Sequence, residues 1–231
     1  MFNSTNSLSK HLAWVILLIG CFSCAYADKN TSTKPLNNYT VGINKNLSFF
    51  YETELNYDLD AGRMKEISWT PGFEFKIPKK FKLSSQDTIS FEGKVNYLHI
   101  TDSSLKTIER RPRASITTQW NHSNHKFELR HRLEHRNRKM AGKDSGLRYR
   151  PRIKFKPNWR WTPLKLAPYL SDEFFISEGG YGSQEIEAGV KLGLKNWSFV
   201  VGNVFVIDNN ASDSKYIEDI IILEFNYKFA R

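Results

Sequence analysis

The chain has almost no cysteine, no apolar run long enough for a membrane-spanning helix, and no stretch with a helical period. Of its 231 residues two are cysteine, Cys21 and Cys24. A chain that loses both on export has no thiol to mispair in an oxidising compartment. The longest apolar run, 12–22, has 11 residues, whereas a helix crossing a bilayer needs about 20. If the rest of the chain enters a membrane, it does so as strands. Acid is scarce beside base: 24 Asp and Glu face 34 Lys and Arg, for a formal charge of +10. Phosphate-binding loops, nucleotide fingerprints, nucleic-acid motifs, low-complexity tracts and domain linkers are all missing, which excludes the usual nucleotide and nucleic-acid functions.

The first residues read as an export signal. Lys10 and His11 precede the apolar run, and Ala25 and Ala27 make a small-x-small site, which places cleavage between Ala27 and Asp28. "LIGC", ending at Cys21, is the alternative: a lipoprotein site that would lipidate that cysteine. The expected organisation is a signal over 1–27, a solvated lead-in over 28–38, and one barrel domain over 39–231.

What the chain has in quantity is alternation. From Leu47 the odd positions run Leu47, Phe49, Tyr51, Thr53, Leu55 and Tyr57, while Ser48, Glu52, Glu54 and Asn56 fall between them. A period of two is the mark of a strand with one apolar and one polar face. It recurs over 67–77, 89–97, 109–120, 127–138, 147–156, 164–176, 185–194, 197–206 and 216–229, which makes about ten strands in a range of 8–12. The segments between strands fall into two classes. "NHSN" (121–124), "NWRWTP" (158–163) and "KN" (195–196) alternate with the Gly-, Asp- and Ser-richer "DLDAGR", "KMAGKDSG", "EGGYGS" and "DNNASDSK", which also read as longer. This is the pattern of an antiparallel up-and-down transmembrane β-barrel, with turns on the periplasmic side and loops outside. Strand length, aromatics near strand ends (Tyr57, Trp69, Tyr97, Trp120, Trp159, Trp161, Trp197) and an amphipathic last strand ending on Phe229 favour lipid over water as the outer medium. A soluble sandwich or lipocalin-like barrel would show the same alternation with its faces exchanged.

If lipid is outside, the charged rows are inside. "FELRHRLEHRNR" (127–138) then projects Arg130, Arg132, Glu134 and Arg136 into the lumen, and "LRYRPRIKFK" (147–156) projects Arg148, Arg150, Arg152, Lys154 and Lys156. The two strands form a hairpin, so cation must face cation, which is unfavourable unless acids reach in from elsewhere. Glu128 offsets part of this. Glu173 is expected beside Arg148, with Glu52, Glu54, Glu74, Glu92, Glu185 and Glu187 available from other walls. Such a lumen is either a packed Arg–Glu core or a basic track for small anionic solutes, for which the guanidinium fork is well shaped. The other expected partners are outer-membrane lipids, lipopolysaccharide and, through the last strand, the barrel-assembly machinery.

Enzyme readings are weak. "HITDSS" offers His99 and Ser103 at the outer end of a strand, without an evident orienting group. His122 and His125 in "HSNH" lack further ligands nearby in sequence. No catalytic residue, metal or cofactor is expected. His131 and His135 fall on the lipid face, at an interface or a subunit contact, and "PKKFK" (78–82) reads as a periplasmic turn.

"LRHRLEHR", "LRYRPRIKFK" and "APYLSDEFF", in this order, resemble an uncharacterised family of bacterial outer-membrane barrels over roughly 105–229. The resemblance implies the outer-membrane location and the barrel, no known activity, and Arg130, Arg132, Glu134, Arg148, Arg150, Arg152, Glu173 and Phe174 as recurrent positions. A more distant likeness is to porins for acidic oligosaccharides, also narrow barrels with arginine tracks.

Overall fold

The computed structural model describes residues 31–78, 80–103, 106–123, 125–138, 145–158, 166–178, 180–193, 196–208 and 215–229. The signal segment with Cys21, Ala27 and Asp28, and Trp159 and Trp161, lie outside the described residues.

Every regular element described is a strand: β1 (Thr31–Gly42), β2 (Leu47–Asp58), β3 (Arg63–Lys76), β4 (Phe81–Lys82), β5 (Asp87–Asp102), β6 (Thr107–His122), β7 (His125–Arg138), β8 (Gly146–Lys156), β9 (Ala167–Ser177), β10 (Gly180–Gly193), β11 (Trp197–Asp208) and β12 (Lys215–Phe229). They pair in the order β3-β2-β1-β12-β11-β10-β9-β8-β7-β6-β5, and β5 closes on β3. Eleven strands thus make a closed barrel, and the two-residue β4 is an addition on β5.

The expected barrel had an even count and antiparallel neighbours throughout. Ten of the eleven closing pairs are antiparallel, and the eleventh, β1 with β12, is parallel. Parallel closure follows from the odd number, because first and last strands of an odd meander run the same way. The additional strand is β1, which occupies residues expected as lead-in. Its "TSTKPLNNYTVG" has no clean alternation and carries Pro35. Pairing on both sides, Thr33 with Ile221 and with Tyr57, holds it as strand instead. Context of this kind regularly outweighs local β propensity.

The faces are inside-out relative to a water-soluble protein. Leu133, Ile153, Leu170 and Ile116 are 51%, 55%, 52% and 58% exposed on the outer surface. Glu134 and Glu173, on the inner face, are 1% and 7% exposed. Of the two faces that the alternation offered, the charged one points inward.

The two classes of connecting segment sort onto the two rims. Strand ends joined through 43–46, 77–86, 123–124, 157–166 and 194–196 form the first rim, with the end of β12 at Phe229. Those joined through 59–62, 103–106, 139–145, 178–179 and 209–214 form the second, with Thr31. Length does not separate them as expected: 77–86 and 157–166 are the longest connections, and both belong to the first rim. Short polar side chains hold the tight turns. Asp58 Oδ1 accepts the Ala61 N–H at 2.9 Å beside Gly62 at φ 60°, and Asn44 Oδ1 accepts the Leu47 N–H at 2.9 Å. Outer-face aromatics gather at the first rim, where Phe127 stacks on Trp120 at 5.3 Å and on Phe155 at 4.8 Å.

Candidate functional site: the arginine wall of the lumen

Alternation on β7 and β8 delivers one side chain in two to the interior, and the register lines them up. Arg130 stands opposite Arg152, Arg132 opposite Arg150, and Glu134 opposite Arg148. Cation does face cation across the hairpin, three times, because Lys126 also stands opposite Lys156. The five arginines line a cavity of about 1130 Å³ together with Lys154, Lys156, Glu52, Glu54, Glu92, Lys94 and Arg111.

Three carboxylates offset much of this charge, each shared between several bases. Glu173 Oε1 accepts from Arg130 Nη2 at 2.5 Å and Arg150 Nε at 3.0 Å. Glu134 accepts from Arg148 and lies 3.6 Å from Arg150 Nη1. Glu109 is held by Arg136 Nε at 2.6 Å, Arg111 Nε at 2.8 Å and Arg138 Nε at 3.5 Å. Towards the first rim, Glu128 takes Lys156 at 2.8 Å and Lys126 at 2.9 Å. Glu185 lies 3.7 Å from Arg150, and Glu187 3.7 Å from Lys154. A buried pair of this kind holds together only when the remaining donors and lone pairs are also met.

Aromatic rings take part of the remaining charge. The Arg150 guanidinium lies 4.0 Å and that of Arg148 4.8 Å from the Phe175 ring. Lys154 Nζ lies 3.6 Å from the Tyr169 ring. Tyr169 reaches this place because its hydroxyl occupies space above two glycines: a Cβ on Gly189 would meet that oxygen at 2.6 Å, and one on Gly202 at 3.0 Å. From there it donates to Glu187 at 2.6 Å.

The expected partner of Glu173 is corrected by the register. Glu173 stands opposite Arg152, and Arg148 opposite Ser177. The ten-residue connection 157–166, not a tight turn, joins β8 to β9, so the pairing could not be counted from a short hairpin. Glu74 spends its charge on Lys94 at 2.9 Å and Lys76 at 3.5 Å, away from the arginines. Among the described residues Glu52, Glu54 and Glu92 line the cavity without forming an ion pair.

Sequence reasoning missed Glu109, Arg111 and Arg113, although "ERRPR" has the same period of two. They form a third inner row on β6, where Arg113 donates to Asn96 Oδ1 at 2.6 Å and Thr70 Oγ1 at 3.2 Å. Arg113 thus has neutral acceptors in place of a carboxylate, and among the described residues two further inner arginines have neither. Among the described residues Arg132 and Arg152 have no carboxylate partner, and the buried Nε atoms of Arg152 and Arg130 have no hydrogen-bond acceptor.

The other candidates disperse. His99 stacks on Trp69 at 5.2 Å on the outer face, while Ser103 lies in the connection after β5. His122 Nδ1 is 2.7 Å from Asp87 Oδ1, and His125 Nδ1 accepts the Asn158 N–H at 3.2 Å. His131 and His135 are exposed on the outer face, where His131 Nδ1 hydrogen-bonds the Tyr149 hydroxyl. Phe174 faces outward, 6.0 Å from the Tyr181 ring.

A search of the curated proteins finds no match. A family model matches residues 35–217, and so takes in the early strands that the motif resemblance had reached by pattern alone. The chain belongs to that family, described as a protein of unknown function (DUF2490).

Proposed function

We propose that this protein is an outer-membrane barrel of a Gram-negative bacterium whose lumen admits small anionic solutes. Export follows from cleavage after Ala27. The apolar outer surface and the aromatics at the first rim support a lipid setting, because water would leave those side chains exposed at a cost while hydrocarbon would not. The Gly- and Asp-richer second rim then faces outside, the first rim faces the periplasm, and β12 carries the targeting strand read by the assembly machinery. Lipopolysaccharide and phospholipid are the lateral partners. The role is binding and passage, not catalysis.

The observation that carries the reading is the pair Arg132 and Arg152, which border the cavity with no carboxylate of their own. A solute anion would supply the missing acceptor in bidentate geometry. The porin likeness rests on this wall. The rival role is a sealed barrel, favoured by the sharing of Glu109, Glu134 and Glu173 among arginines, in which the lumen is an ionic core.

Single-channel conductance in a planar bilayer under a salt gradient separates the two. We expect anion selectivity in the wild type, carried towards neutrality in Arg132→Gln plus Arg152→Gln. Silence from folded, heat-modifiable protein would leave the sealed barrel.

A further inference from the structure

The inner surface is not uniformly charged. The arginines stand on β6, β7 and β8. Among the described residues, the lining acids without an ion pair are Glu52 and Glu54 on β2, Glu66 on β3, Glu92 on β5 and Glu224 on β12. A third wall, on β11 and β12, carries an aliphatic patch: Val200, Val204, Ile220 and Ile222 line the cavity, the first three at 4%, 5% and 3% exposure, with Glu224 and Asn226 beyond the patch on β12. Around the ring β12 is five pairings from β7 by one route and six by the other. It therefore stands across the lumen from Arg130 and Arg132. A barrel that passed only hydrated ions would gain nothing from apolar side chains there, since polar lining is what keeps a lumen wet.

The composition of this wall narrows the ligand. The aromatic faces in the lumen are already covered by cations: Phe175 by Arg150, Tyr169 by Lys154, and Phe50 by Lys94 at 5.0 Å. The aliphatic side chains on the lining, Leu98, Ile100, Val200, Val204, Ile220 and Ile222, carry no such cation and suit a saturated chain. Glu224 on the third wall, with Glu52, Glu54 and Glu92 from β2 and β5, would repel an anionic head and leave the guanidiniums as its place. The cavity, at about 1130 Å³, is at the upper end of sites that hold whole organic ligands.

We infer that the lumen takes an anion with an aliphatic body, an alkyl carboxylate of medium chain length, with its head between Arg132 and Arg152 and its chain against Val204, Ile220 and Ile222. The inference rests on the reading of the lumen as open to anions.

The test is calorimetric titration of the refolded full barrel in a non-ionic detergent with sodium octanoate, sodium acetate, octyl phosphate and octylammonium. Octanoate is expected to bind at least ~10-fold more tightly than acetate, because burying even a few methylenes supplies that factor. Octyl phosphate binding within that range of octanoate supports the same site with either head. Ile222→Asn should weaken octanoate and leave acetate unchanged, and Val204→Asn serves if the first variant does not refold. Arg132→Gln plus Arg152→Gln should abolish the preference for octanoate over octylammonium. Equal binding of octanoate and acetate, in a barrel that still conducts anions selectively, overturns the aliphatic site and leaves the anion passage standing. Equal binding of octylammonium and octanoate also overturns it. Loss of both anion selectivity and octanoate binding in folded protein overturns both.

Discussion

The half of the barrel built from β6 to β9 and the half built from β11, β12, β1 and β2 use the same alternation to opposite ends. In the first, nearly every inner position of β7 and β8 is charged, and cohesion comes from a few carboxylates each gripped by two or three bases. In the second, the middle of the inner face of β11 and β12 is valine and isoleucine, packed at 3–5% exposure for Val200, Val204 and Ile220, and Ser198, Glu224 and Asn226 follow towards the first rim. A shared carboxylate concentrates stability in one residue, whereas an aliphatic wall spreads it over many methyl groups. The two halves should therefore differ in how they fail.

The largest effect is expected at Glu173. Glu173→Gln leaves Arg130 and Arg150 without their common carboxylate, and breaking a buried pair costs about 3 kcal/mol or more. The urea midpoint of the refolded barrel should fall accordingly, and a fall well under 1 kcal/mol would mean that water already screens this wall. Ile220→Val removes one methyl from the opposite wall and should cost about 1 kcal/mol in the same measurement. The smallest effect on stability is expected at Arg132. Arg132→Gln removes a base with no carboxylate partner, so the midpoint should stay within about 0.5 kcal/mol or rise. If Arg132→Gln proves as damaging as Glu173→Gln, the basic wall acts as one network without a vacancy.

Much of this was legible in the sequence, in a particular order. The period of two told which residues share a face, so Arg130, Arg132, Glu134, Arg136, Arg148, Arg150, Arg152 and Lys154 all arrive on the inner side. It does not tell which strand stands beside which residue once a connection is long, and Glu173 was misplaced for that reason. β1 escaped because its own residues carry no alternation and its strand state comes from its neighbours. The aliphatic wall was readable and passed over: four consecutive apolar residues, Ile220 to Leu223, break the alternation. A stretch of strand without polar residues has two apolar faces, one for each side of the barrel, before Glu224, Asn226 and Lys228 resume the alternation. Arg111 and Arg113 were likewise present as a period, in a segment read only as a weak strand.

The parallel seam between β1 and β12 has a consequence for anyone re-engineering the chain. Thr31 sits beside Asp219, and Phe229 lies ten residues further along β12. At about 3.3 Å per strand residue the two ends of the barrel are roughly 33 Å apart, on opposite rims. Circular permutation, which succeeds where termini adjoin, would need a linker long enough to run the height of the wall. In a barrel that spans the outer membrane as proposed, peptide tags placed before Thr31 and after Phe229 would report on opposite compartments, so a single doubly tagged chain probed with a membrane-impermeant reagent would give its orientation.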